Sequence, residues 1–84
     1  MVKLKKGKYY RFTYSDSTVV NYIKILDIND IHFKINGFRI QGTIITLIAE
    51  DGCEDVLWEI NRQDRIVQEI SEIEFKSFIM LESL

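Results

Sequence analysis

The sequence predicts a mainly β fold, in which five antiparallel strands form a meander that closes into a small barrel, with one helix at the C-terminal end. Short runs of alternating apolar and polar residues, separated by polar or glycine-containing turns, indicate the strands. The composition agrees, since isoleucine is abundant and proline is absent. A helix-start signal near residue 71 indicates the helix. At 84 residues, the chain is expected to form a single domain over residues 1–84, with strands between about 8 and 67 and the helix at about 72–82.

The first two strands are predicted from alternation alone. The first covers residues 8–14 and directs one row of aromatic side chains toward the core. That row consists of Tyr10, Phe12 and Tyr14. After a polar turn at residues 15–18, the second strand covers residues 19–28. Its apolar residues change face between Ile25 and Leu26, which indicates a β-bulge or a sharp bend.

A hairpin is predicted at the centre of the chain, because Asn36-Gly37 lies between two alternating apolar runs. Its register would place Ile35 opposite Phe38, Phe33 opposite Ile40, Lys34 opposite Arg39, and His32 opposite Gln41. Two cations in opposed positions destabilise a sheet unless a negative charge lies nearby. Either an internal acid, such as Asp27 or Glu59, or an external anion could supply that charge.

The second half of the sheet is predicted from the same kind of pattern. A strand over residues 38–49 is interrupted at Gly42, where a glycine inside a strand indicates a bulge or a close backbone approach. Asp51-Gly52 then predicts a second hairpin turn. The strand that follows would carry an inner row of Val56, Trp58 and Ile60. This strand is the fifth, and residues 66–67 could add a further short strand.

The C-terminal helix is predicted over residues 72–82 from a capping box, in which the Ser71 hydroxyl accepts the Glu74 amide. Ile70 and Phe75 are placed as a hydrophobic staple. A first apolar stripe, which would cover the open end of the barrel, consists of Phe75, Phe78 and Ile79. A second stripe lies on roughly the opposite side and consists of Ile73, Met80 and Leu84. The second stripe either packs between the barrel and the N-terminal segment, or contacts a partner or a second copy of the chain.

Charge is distributed unevenly along the chain. The first five charged residues are all basic, and they are Lys3, Lys5, Lys6, Lys8 and Arg11. The net charge of −2 therefore leaves −7 on the remainder of the chain. This basic arm is either a loose, solubilising terminus or a segment that contacts an anion, and the acidic body weakens the second interpretation.

No catalytic or metal-binding pattern is found in the sequence. His32 and Cys53 are the single histidine and cysteine, so neither a nucleophile–base pair nor a zinc site is predicted, and no disulfide can form within the chain. The acidic stretch at residues 50–55 lacks the ligand spacing of an EF-hand loop. No apolar run has the length of a membrane span, and no signal peptide is evident. We therefore expect a cytoplasmic protein without catalytic residues, cofactor, metal or membrane contact.

Three resemblances follow from these residues. The short strands, bent near Leu26 and Gly42 and followed by a helix, resemble SH3-like small barrels, which bind peptides, proteins or nucleic acids. Residues 35–44 are similar to the first strand pair of Sm-like RNA chaperones, although those proteins place a helix before this pair. The small, acidic, isoleucine-rich chain also resembles orphan proteins of bacteriophages and mobile elements. Many such proteins bind and block a host protein, including proteins of bacterial defence systems.

The leading functional hypothesis is a non-catalytic protein that acts by binding another protein, and the phage resemblance implies an inhibitor of a bacterial defence protein. Self-association through the helix is a further expectation. The alternative is a nucleic-acid or nucleotide binder that uses cations beside exposed aromatic rings such as Tyr9 and Tyr22. The predicted binding residues for these hypotheses are Lys34, Arg39, His32, Tyr9, Ile73, Met80 and Leu84.

Overall fold

The fold consists of one antiparallel sheet and a C-terminal helix. The structure, a computed structural model, describes residues 3–14, 18–29, 31–53 and 65–82. Its elements are β1 (Tyr9–Tyr14), β2 (Val20–Ile28), β3 (His32–Gln41), β4 (Ile44–Cys53), β5 (Arg65–Ile70) and α1 (Glu72–Glu82). The five strands lie in the order β4-β3-β2-β1-β5, and each neighbouring pair is antiparallel. The predicted fold class, mainly β with a C-terminal helix, is confirmed.

The sheet is open. Within the described ranges, β4 pairs only with β3 and β5 pairs only with β1, so these two strands form the edges. A closed barrel is therefore not confirmed.

The predicted hairpin at Asn36-Gly37 is wrong. β3 runs without interruption from His32 to Gln41, and the two residues of the turn are Gly42 and Thr43. Gly42 has a φ of 62° and no residue other than glycine has a positive φ among those described, which is the pattern of a type II′ turn. The physical reason is that β2 and β4 pair with the whole length of β3, and these tertiary pairings outweigh the local Asn-Gly preference.

Gly37 has a different role from the one predicted. It lies opposite Ile23 of β2 and Ile48 of β4. A Cβ atom at this position would lie 1.9 Å from the backbone oxygen of Tyr22 and 2.9 Å from the Cα of Ile23. Glycine is thus required inside β3 by the close approach of β2 rather than by a turn.

Two further turn predictions are corrected. Gly42 is a turn residue rather than a bulge, and Asp51-Gly52 lies inside β4 rather than in a hairpin loop. Gly52 lies opposite Phe33, and a Cβ atom there would be 3.0 Å from the Phe33 ring. The absent side chain therefore leaves room for an aromatic ring. The predicted strand with Val56, Trp58 and Ile60 lies outside the described residues.

The predictions for β2 and for the last strand agree with the structure. The pairing of β2 with β3 changes register between Ile25 and Asp27, so the predicted bulge is confirmed. The short strand predicted at 66–67 is present and longer, and it pairs with β1 from Tyr9 opposite Ile70 to Tyr14 opposite Arg65. Because β5 returns to β1, the strand order departs from a simple meander.

Apolar residues form a cluster on each face of the sheet. The first cluster comprises Leu4, Tyr10, Phe12, Ile23, Ile25, Phe33 and Ile35. The second comprises Tyr9, Tyr22, Phe38 and Phe75. The predicted inward direction of Tyr10 and Phe12 is confirmed, since they are 0% and 2% exposed. Strands β1, β2 and β3 therefore each carry buried residues on both faces of the sheet, alongside exposed polar residues such as Lys34 and Arg39 in β3.

Residues 4–8, which precede β1, pack on the face of the sheet that carries the first cluster. Leu4 is buried in the first cluster. The Lys5 backbone N–H donates to the Tyr10 hydroxyl at 2.8 Å, and the Gly7 N–H donates to the Ile25 carbonyl at 2.8 Å. The Ile25 N–H in turn donates to the Lys8 carbonyl at 3.0 Å. The interpretation of a loose terminus is therefore wrong for residues 4–8, because a buried leucine and three backbone contacts hold them on the sheet.

Replacing Tyr10 with phenylalanine is expected to lower the free energy of unfolding by about 1–2 kcal/mol, because the Lys5 N–H loses its acceptor. Burial raises the pKa of Tyr10, the hydrogen bond from Lys5 opposes this shift, and Glu69 adds to it. A raised folded-state pKa means that the folded protein binds the proton more tightly than the unfolded chain. The stability contributed by Tyr10 is thus complete below about pH 10 and is lost as the pH rises through the folded-state value.

Urea denaturation of the wild type and of Tyr10→Phe between pH 7 and pH 11 measures both effects. The difference in unfolding free energy between the two proteins should shrink above about pH 10. A difference that stays constant to pH 11 would contradict the raised pKa of Tyr10, and equal stabilities at pH 7 would contradict the role of the hydroxyl as acceptor for Lys5.

The start of α1 agrees with the predicted capping box. The Glu74 backbone N–H donates to the Ser71 hydroxyl oxygen at 3.1 Å, and α1 covers the predicted range. Phe75 is 5% exposed and belongs to the second cluster, with Ile70 packed against it. The side chains of Phe78, Ile79 and Met80 lie outside the described part, as does Leu84. The two predicted stripes are therefore tested only at Phe75 and Ile73.

Candidate protein-interaction surface

Strand β4 presents the most exposed apolar residues of the sheet. It contains ten residues, and its pairing with β3 is regular from Gln41 opposite Ile44 to His32 opposite Cys53. Ile44 is 65% exposed, Ile45 is 39% exposed and Leu47 is 76% exposed. In the described structure, the side of β4 that faces away from β3 has no paired strand. None of the other described strands pairs with the backbone N–H and C=O groups on that side, and such edge groups can hydrogen-bond to another strand.

The sequence of β4 divides into two halves of different charge. Residues 44–49 carry no charged side chain, whereas Glu50 and Asp51 follow immediately. Natural edge strands are protected by charged side chains, especially lysine, and by proline, bulges or short length, and residues 44–49 of β4 have no charged side chain. β4 is long, has no bulge in its pairing, and contains neither lysine nor proline. By comparison, edge strand β5 has six residues and contains Arg65 and Glu69.

A groove of about 410 Å³ lies beside β4, between the sheet and α1. Its lining includes Tyr9, Lys24, Phe38, Leu47, Ala49, Phe75 and Lys76. The aromatic rings pack closely, with centroid distances of 4.9 Å between Tyr9 and Phe75 and 5.5 Å between Phe38 and Phe75. Tyr22 stacks on Phe38 at 5.1 Å. The groove therefore has a rigid aromatic base next to the exposed Leu47 side chain.

Lysine side chains border this groove. Lys24 Nζ lies 5.4 Å from the centroid of the Tyr9 ring. Lys76 Nζ lies 2.6 Å from a carboxylate oxygen of Glu72, one helical turn earlier. Hydrogen bonding and charge attraction between these two groups lower the pKa of Glu72 and raise the pKa of Lys76. Since more than half of each side chain is exposed, this ion pair contributes little to stability.

The predicted basic face of the hairpin is wrong. Lys34 lies opposite Asp27 of β2 and Asp51 of β4 rather than opposite Arg39, because β3 continues through Asn36-Gly37. Of the two internal acids expected near the cations, Asp27 is therefore beside Lys34, and Glu59 lies outside the described residues. The Arg39 Nε–H donates to the Asn21 side-chain oxygen at 2.8 Å, so that cation also has a partner within the sheet.

The other predicted binding residues differ in their exposure and in their contacts. His32 forms a side-chain contact with Asp51 and does not lie opposite Gln41. Tyr9 and Tyr22 were expected on outer faces, but they are only 9% and 6% exposed, because α1 packs over their side of the sheet. Ile73 is 82% exposed, which agrees with a position away from the buried Phe75.

Sequence reasoning missed the apolar edge of β4. The available signal was the run of residues 44–48, in which four of the five side chains are large and aliphatic without polar alternation. Such a run is typical of a strand with apolar contacts on both faces. Which strand forms the edge, however, depends on the strand order.

In residues 3–14, 18–29, 31–53 and 65–82, no group of three or more histidine, cysteine or acidic residues could hold a metal ion. None of the helical segments that the structure describes has the length and apolar character of a membrane span. Comparison of the chain with protein-family models, curated proteins and solved structures gives no match.

Proposed function

We propose that this chain is a non-catalytic protein-binding module whose contact surface is the edge of β4 together with the adjoining groove. The observation that supports the proposal is the ten-residue edge strand that exposes Ile44, Ile45 and Leu47. A strand from another polypeptide can add to such an edge through backbone hydrogen bonds, while its side chains contact the exposed aliphatic groups. The role of an inhibitor, implied by the phage resemblance, would be one use of such binding.

Protein binding is favoured over nucleic-acid or nucleotide binding by the placement of the aromatic residues. Base stacking requires an exposed ring, and Tyr9 and Tyr22 are buried. Arg39 is hydrogen-bonded to Asn21, and Lys34 lies between acidic positions. The exposed lysines before β1 are the feature that still favours an anionic partner, and they lie on a segment that is attached to the opposite face from the groove.

Substitution of Leu47 with lysine is expected to abolish partner binding, because a charge at the edge opposes both strand addition and apolar contact. The matched control is Ile66→Lys, which introduces the same side chain at a 53% exposed position on the other edge. The immobilised wild-type protein and both variants are used to capture proteins from cells that carry the gene, and hydrogen exchange then locates protected amides.

We expect a protein that is retained by the wild type and by Ile66→Lys, is lost with Leu47→Lys, and protects the β4 amides. Capture that survives Leu47→Lys, or protection confined to another element, counts against β4 as the contact surface. Capture of nucleic acid instead would favour the alternative function.

A further inference from the structure

We infer that the partner strand of β4 is β4 of a second copy of this chain, paired antiparallel about a two-fold axis at Thr46. This inference rests on the proposed function, since it names the occupant of the same edge. Two copies related by a two-fold axis use the same surface patch, so the surface must be complementary to itself. Antiparallel edge strands with this symmetry place each residue opposite one on the same face of the sheet.

The sequence of β4 meets this requirement at one register. With Thr46 opposite Thr46 of the second copy, Ile45 lies opposite Leu47, and Ile44 lies opposite Ile48. Residues 44–48, Ile-Ile-Thr-Leu-Ile, are therefore nearly palindromic in shape and polarity. All four aliphatic residues gain an aliphatic cross-strand neighbour, and such pairs stabilise a sheet.

Charge placement supports the same register. The pairing puts Glu50 opposite Gly42 and Asp51 opposite Gln41 of the second copy, beyond the paired segment. No acid then faces an acid, whereas a parallel in-register arrangement would place Glu50 on Glu50 and Asp51 on Asp51. Like charges in directly opposed positions destabilise a sheet. The two acids therefore limit the pairing to the uncharged half of β4 and select the antiparallel direction.

The exposure of the aliphatic side chains of β4 is consistent with pairing of this edge with a second copy of the chain. Ile44 and Leu47 are 65% and 76% exposed in the single chain, and in the proposed dimer they contribute to opposite faces of a continuous sheet. Leu47 also borders the groove beside Phe75, so the second copy's aliphatic residues lie next to an existing aromatic surface. A single pair of strands forms a small interface, and interfaces below about 1,200 Å² are typically weak and concentration-dependent.

Disulfide trapping tests the register directly. In the two-fold arrangement, the Thr46 Cα atoms of the two copies are about 4.5–5.5 Å apart, which is within the range of a disulfide. In the same arrangement, Thr43 of one copy lies opposite Ala49 of the other, six residues along the strand from the second Thr43. The two Thr43 Cα atoms are therefore roughly 20 Å apart, at about 3.4 Å per residue. Thr46→Cys and Thr43→Cys are compared in a Cys53→Ser background, in a buffer of reduced and oxidised glutathione. Both threonines are exposed.

We expect Thr46→Cys to form a covalent dimer at least about tenfold more abundantly than Thr43→Cys. Equal cross-linking of the two variants would indicate random collision and would overturn the inference. If Thr46→Cys proves unfolded by circular dichroism, sedimentation equilibrium of the wild type, Ile44→Lys and Ile66→Lys decides the question.

In that measurement, the wild type and Ile66→Lys should show a mass that rises from monomer to dimer between low micromolar concentration and about 1 mM. Ile44→Lys should weaken dimerisation at least about tenfold. A wild-type protein that remains monomeric throughout overturns the inference, because another segment or another protein then covers β4. Partner capture that still depends on Leu47 in such a monomer would leave the proposed function standing.

Discussion

Replacing Gly37 with alanine should unfold the domain at room temperature. The added Cβ would lie 1.9 Å from the Tyr22 backbone oxygen, a distance that no rotation of a side chain can relieve. β2 and β3 would have to separate at Ile23, in the middle of the sheet. Because small domains are stable by only about 5–15 kcal/mol, loss of the pairing at this point is expected to remove most of the stability.

The matched substitution is Gly42→Ala in the turn between β3 and β4. Gly42 has a φ of 62°, but no atom lies within 4 Å of the position that an alanine methyl group would take. Its cost should therefore be limited to about 1–2 kcal/mol of backbone strain. Urea denaturation followed by circular dichroism separates the two cases, and a folded Gly37→Ala with a midpoint near that of Gly42→Ala would show that β2 does not approach Gly37 so closely.

Truncating Phe75 to alanine has the second largest expected effect, a loss of about 3–5 kcal/mol in unfolding free energy. Phe75 is the residue of α1 that packs between Tyr9 and Phe38. Its removal leaves a cavity and exposes the second cluster to water. We expect α1 to detach before the sheet unfolds, since the described buried contacts of the helix are centred on this ring.

Ile73→Ala is the matched control for Phe75→Ala, because Ile73 is two residues away on the same helix and 82% exposed. Its effect should stay within about 0.5 kcal/mol. The measurement is thermal unfolding monitored both by helix circular dichroism and by tyrosine fluorescence. Equal effects of the two substitutions would mean that α1 does not bury Phe75 against the sheet.

Local signals predicted the parts of the fold that depend on local physics. The bulge in β2 follows from the change of face between Ile25 and Leu26, and the start of α1 follows from the hydrogen bond between Ser71 and Glu74. The Asn36-Gly37 prediction was wrong because a dipeptide preference of this kind competes with pairing on both sides of β3. Such pairing involves residues distant in the sequence and cannot be derived from an eleven-residue window.

The candidate surface was less predictable than the fold. Tyr9 was expected to be exposed because alternation assigns one face of β1 to solvent, but α1 returns to cover that face. The edge position of β4 follows from β5 pairing with β1 rather than with β4. Strand order of this kind is set by contacts over the whole sheet. The apolar run at 44–48 therefore indicated that these side chains are buried, but not which strand, helix or partner covers them.

The pairing of β1 with β5 also constrains the time at which the protein can fold during synthesis. Tyr9 meets Ile70 across roughly sixty residues of chain, and closing a loop of that length has an entropic cost that local hairpins avoid. On the ribosome, the first four strands emerge before the fifth, so one side of β1 stays unpaired until β5 has also emerged. The complete sheet can therefore form only after residue 70 has left the exit tunnel.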